Sequence, residues 1–105
     1  MPPHRLEKII KGHVMQTQPF ERYENATLDQ TLFLELFGDE GNIKKATIGT
    51  RFEHLISIDV RTPTPNSKEL NNAFHFFNNI APICHYDELQ TEWAAFLSEK
   101  THSHN

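Results

Sequence analysis

Residues 27 to 48 read Thr-Leu-Asp-Gln-Thr-Leu-Phe-Leu-Glu-Leu-Phe-Gly-Asp-Glu-Gly-Asn-Ile-Lys-Lys-Ala-Thr-Ile, and the structure assigned to this stretch decides the fold. Thr27 with Gln30 fits a capping box opening a helix that ends at Gly38, with Leu28, Leu32, Phe33, Leu36 and Phe37 on one face. The competing assignment is a strand beginning near Thr31. The strand is favoured because Gly38-Asp39-Glu40-Gly41-Asn42 is a turn-rich loop, and the β-compatible run Ile43 to Ile48 follows at once. The two segments then form a hairpin. Its first strand directs Leu32, Leu34 and Leu36 to one face and Phe33, Glu35 and Phe37 to the other, so both faces need cover.

Working outward, Glu53 to Arg61 alternates Leu55, Ser57 and Asp59 with Ile56, Ile58 and Val60, the period of a half-buried strand. Upstream, Pro19 excludes a helix interior, so residues 13 to 23 read as an extended segment suited to a sheet edge. Leu6, Ile9 and Ile10 predict a short amphipathic helix over residues 3 to 11, stopped by Gly12. Downstream, Pro63 and Pro65 end the strand ladder, and Asn66 or Ser67 caps a helix from about Ser67 to Asn79. Its apolar stripe is Leu70, Ala73, Phe74, Phe77 and Ala81, bounded by Pro82. Asp87 with Gln90 opens a last helix carrying Leu89, Trp93, Phe96 and Leu97. The expected architecture is α+β: a three-stranded antiparallel meander flanked by an N-terminal helix and two C-terminal helices. A chain of 105 residues supports one domain, 1–105, with flexible ends at 1–3 and 101–105.

Composition narrows the function classes. No apolar run approaches the roughly 20 residues that cross a bilayer, and charges interrupt the first residues where a secretory signal needs a continuous apolar stretch. The expected location is the cytoplasm. The match of Asn25-Ala26-Thr27 to a glycosylation sequon therefore has no weight. A net charge of −4 argues against a protein that binds by neutralising many phosphates. The acidic segment Asp87 to Glu99 also holds too few carboxylates to imitate a phosphate track.

Candidate chemistry is sparse. Cys84-His85-Tyr86-Asp87 is the densest reactive cluster, but adjacent side chains point apart, so Cys84 reads as a buried filler and Asp87 as a helix cap. Seven histidines include no pair one helical turn apart, and His102-x-His104 lies in the tail, so no metal or other cofactor is expected. An enzyme alternative, a small hydrolase or nuclease, would use His85 with Asp87, or Glu53 with Asp59 beside Lys44 or Lys45. No phosphate-cradling glycine loop, Gly-x-Ser-x-Gly or CxxC motif is present.

The remaining signal concerns surface. Phe76 falls off its helix stripe, beside His75 and among Asn71, Asn72, Asn78 and Asn79, and neutral amides are cheaper to desolvate than charges. Phe33, Phe37, His75, Phe76 and Asn79 are therefore the expected contact residues, with Lys44, Lys45 and Arg51 as steering charges. The functional expectation is a small protein-interaction module of the inhibitor, immunity, adaptor or chaperone type. It would mask a surface of another protein or of a second copy of itself.

Overall fold

The computed structural model describes residues 18–62 and 67–102. The order is β1 (Glu21–Ala26), β2 (Thr31–Asp39), β3 (Asn42–Gly49), β4 (His54–Asp59), then α1 (Lys68–His75) and α2 (Leu89–His102). The strands form one antiparallel meander, β1-β2-β3-β4, so the sheet has four strands rather than three. The α+β class stands. The predicted N-terminal helix over 3 to 11, Asn66 and residues 103 to 105 lie outside the described residues, and both described helices follow the sheet.

The extra strand begins within the extended segment read over 13 to 23 and runs past it to Ala26. β1 pairs Glu21 with Leu36 and Ala26 with Thr31, and it is exposed almost throughout. It therefore lacks the alternation that marks a half-buried strand. Residues 27 to 30 form the turn that joins β1 to β2. The Thr27 hydroxyl accepts the Asp29 and Gln30 amides at 3.3 and 2.9 Å, while the Thr27 amide donates to the Gln30 carbonyl at 2.8 Å. The hydroxyl chemistry that resembles a helix cap closes a hairpin instead.

Leu32, Leu34 and Leu36 join Ile43, Ala46, Ile48, Ile56 and Ile58 in a core that the helices cover. Hydrophobic burial at about 25 cal/mol per Å² makes this layer the main source of stability. Between the helices the chain adopts a π-helical turn over Phe76–Ile80 and short 3-10 turns at Ala81–Ile83 and Tyr86–Glu88. Ser67 caps α1 by accepting the Leu70 amide at 3.1 Å. The last helix begins through another pair than Asp87 and Gln90. The His85 amide donates to Glu88 Oε1 at 2.8 Å, and the Gln90 amide side chain donates to the Leu55 carbonyl at 2.8 Å.

Candidate functional site

The expected contact set divides on folding. Phe76 is fully buried, edge-on to Trp93 at 5.2 Å and beside Phe96 at 5.8 Å, so its assignment to a contact surface is corrected. The π turn gives the reason. An α-helical period places Phe76 off the stripe set by Leu70, Phe74 and Phe77, whereas a wider turn beginning at Phe76 lets both Phe76 and Phe77 face inward. His75 and Asn79 are exposed as expected and meet each other: Asn79 Nδ2 donates to the His75 carbonyl at 3.1 Å. The His75 ring stacks on Phe96 with centroids 5.6 Å apart.

Phe33 and Phe37 sit on the sheet face away from the helices, yet they are only 6% and 8% exposed, so neither is a free contact residue. The Arg22 and Arg51 guanidiniums lie 4.9 and 5.8 Å from the Phe33 ring centre, and the Lys45 ammonium lies 5.8 Å from that of Phe37. Two of the expected steering charges thus lie over aromatic rings of their own sheet, while Lys44 is exposed on β3. Between the rings, the buried Glu35 carboxylate accepts from Arg22 Nε at 2.8 Å and lies 3.1 Å from His54 Nε2. Burying a carboxylate beside apolar rings is sustained by such partners.

A different surface emerges at one end of the sheet. The turns at 27–30 and 50–53 lie at the same end of the meander, and the segment 81–86 is bonded to the first. The Leu28 amide donates to the Cys84 carbonyl at 2.8 Å, and the Tyr86 amide to Asp29 Oδ1 at 2.8 Å. The Tyr86 hydroxyl lies 3.4 Å from Glu53 Oε2, reaching the second turn. Each of these three segments presents a large apolar side chain to solvent: Leu28 is 60% exposed, Phe52 90% and Ile83 73%. Thr50 shapes the second turn by accepting the Phe52 and Glu53 amides at 3.1 and 3.2 Å. Nothing in that bonding requires a phenylalanine at its tip.

An open groove of about 820 Å³ runs between the two turns, lined in part by Glu24, Asp29, Phe33, Arg51, Phe52 and Glu53. The Tyr86 amide holds the Asp29 carboxyl below its ordinary range, aided by the Thr27 hydroxyl and the nearby His85. None of Leu28, Phe52 and Ile83 is marked as a contact residue by the local sequence pattern. The available signal was Phe52, a lone aromatic between charged neighbours in a segment otherwise suited to a turn.

The reactive candidates do not converge into the expected pairs. His85 faces Glu88, Nδ1 to Oε1 at 3.5 Å, rather than Asp87. Glu53 precedes β4 and Asp59 ends it, roughly 20 Å apart along an extended strand. Cys84 is buried with its thiol donating to the Ile80 carbonyl at 3.3 Å. Burial, then the charges of Glu92 and Glu88, push its pKa up, away from nucleophilic thiolate. Among the described residues, no group of three His, Cys, Asp or Glu is placed to hold a metal ion, and no helix is long and apolar enough to cross a membrane. Comparison with protein-family models, with curated proteins and with solved structures finds no match for this chain.

Proposed function

We propose that this chain is a small cytoplasmic protein-binding module that acts by covering a surface of a partner. The supporting observation is the exposure of Leu28, Phe52 and Ile83 on three segments that bond to or reach toward one another at one end of the sheet. Burying one such side chain contributes about 1.5–3 kcal/mol, so apolar side chains exposed on three linked segments suit the apolar part of an interface. The contact surface proposed from the sequence moves accordingly, from Phe33, Phe37 and Phe76 to the loop end.

The test compares the wild-type chain with a Phe52→Ser, Ile83→Ser double variant of unchanged thermal stability. Light scattering reads self-association. Affinity capture from the native host, followed by titration of the purified captured protein, reads binding to another molecule. The expected result is a saturable complex, with itself or with one partner, that the double variant weakens at least about tenfold. A wild-type chain that remains monomeric and captures nothing saturable, or a complex indifferent to the variant, overturns the reading.

A further inference from the structure

We infer that the groove between the two turns seats a positively charged side chain, arginine or lysine, of a partner protein, against the Phe52 ring and among Glu24, Asp29 and Glu53. This rests on the proposed protein-binding function, because both use the Phe52 turn, and it states the chemistry of the partner.

Charge complementarity selects this occupant. The lining has three carboxylates, Glu24, Asp29 and Glu53, against one cation, Arg51, a net charge of −2. Arg51 is already placed over Phe33, and Glu24 has no ion pair among the described residues. Asp29 remains ionised because the backbone of Tyr86 and the hydroxyl of Thr27 both donate to it. A neutral segment entering here would strip water from these carboxylates without returning opposite charge, and an acidic one would add repulsion, whereas a cation replaces that water with opposite charge. The same carboxylates repel phosphate, which sets nucleic acid aside for this groove.

The aromatic lining favours the same occupant. Phe33 has two guanidiniums over its ring, from Arg22 and Arg51, so its cation–π capacity is taken up within the chain. Phe52 projects beside the same carboxylates and is 90% exposed. A flat guanidinium stacks on such a ring while directing its N–H groups to neighbouring carboxylates, a combination that an uncharged apolar side chain lacks. Leu28 and Ile83 flank this end and suit an apolar residue next to the cation.

The experiment is a titration of the isotope-labelled full chain, followed by amide NMR shifts, with acetyl-Gly-Arg-Leu-Arg-Gly-amide as probe. Its counterpart with citrulline in place of both arginines has the same shape without the charge. The arginine peptide should produce saturable shifts concentrated in residues 28–31 and 50–53 at millimolar concentration, and the citrulline peptide should not. Glu24→Gln with Glu53→Gln should weaken binding by about five- to tenfold, and Phe52→Leu by about two- to fivefold. Absence of saturable shifts, equal binding of the citrulline peptide, or indifference to these substitutions overturns the inference. If the peptide fails while the Phe52→Ser, Ile83→Ser variant still releases its partner, the cation chemistry falls and the protein-binding function stands. If both fail, both fall.

Discussion

Thr47 shows how one residue on the helix-free face is constrained. It lies in the middle of β3, opposite Glu35 on one side and Ser57 on the other, and it is fully buried. Among the described residues its hydroxyl oxygen has no hydrogen-bond partner. A buried hydroxyl without a partner forfeits its hydration, whereas valine has the same shape and nothing to desolvate. Thr47→Val should therefore raise stability by about 1 kcal/mol, read as a higher urea midpoint with an unchanged slope. A lower midpoint would show that the hydroxyl is bonded in solution. Glu35, directly across the strand pair, is the contrasting case: it is also buried but is held by Arg22 and His54.

At the scale of elements, the β2–β3 hairpin depends on the register shift between Phe37 and Gly38. Gly38 has φ +126°, and a Cβ there would lie 2.7 Å from the Asn42 carbonyl oxygen and 2.9 Å from the Lys44 amide nitrogen. Both neighbours are backbone and cannot swing aside. Gly38→Ala should cost about 1–3 kcal/mol by thermal or urea unfolding. Gly41→Ala, in the same turn but with open space around the added carbon, should stay within about 0.5 kcal/mol. Equal effects would show that the bulge is not the source of the constraint. The helical side has its own irregular element, the π turn at Phe76–Ile80, which sets both Phe76 and Phe77 into the core.

At the scale of the whole molecule, two phenylalanines separate folding from recognition. Phe76 is enclosed by Trp93, Phe96 and the sheet, so Phe76→Ala should destabilise by about 3–5 kcal/mol through lost contacts and a cavity. Phe52→Ala should change stability by less than about 0.5 kcal/mol while weakening partner binding. Calorimetric melting beside a binding titration tests both halves. A protein that melts earlier with Phe52→Ala but binds normally would make Phe52 a structural residue and remove the basis for a contact surface at this end.

The sequence by itself favoured the hairpin and located the strand read over Glu53 to Arg61 and both described helices, because each has a local signature, although the helix read to Asn79 gives way to the π turn after His75. Turn residues follow β2, Ile56 and Ile58 alternate with polar residues in β4, and Ser67 stands before the Leu70 and Ala73 stripe. Local signals were also enough to make Cys84 a buried filler. Only the tertiary structure decided the fate of the aromatic residues. Whether Phe33 and Phe37 stay exposed depends on side chains from β1 and β3 and on the turn after β3, and whether Phe76 faces inward depends on a turn that abandons the α-helical period. The loop-end surface is likewise assembled from residues 28, 52 and 83, which hydrogen bonds across the fold bring to one place. Periodicity reports how a residue sits within its own element; exposure is set by what the other elements place over it.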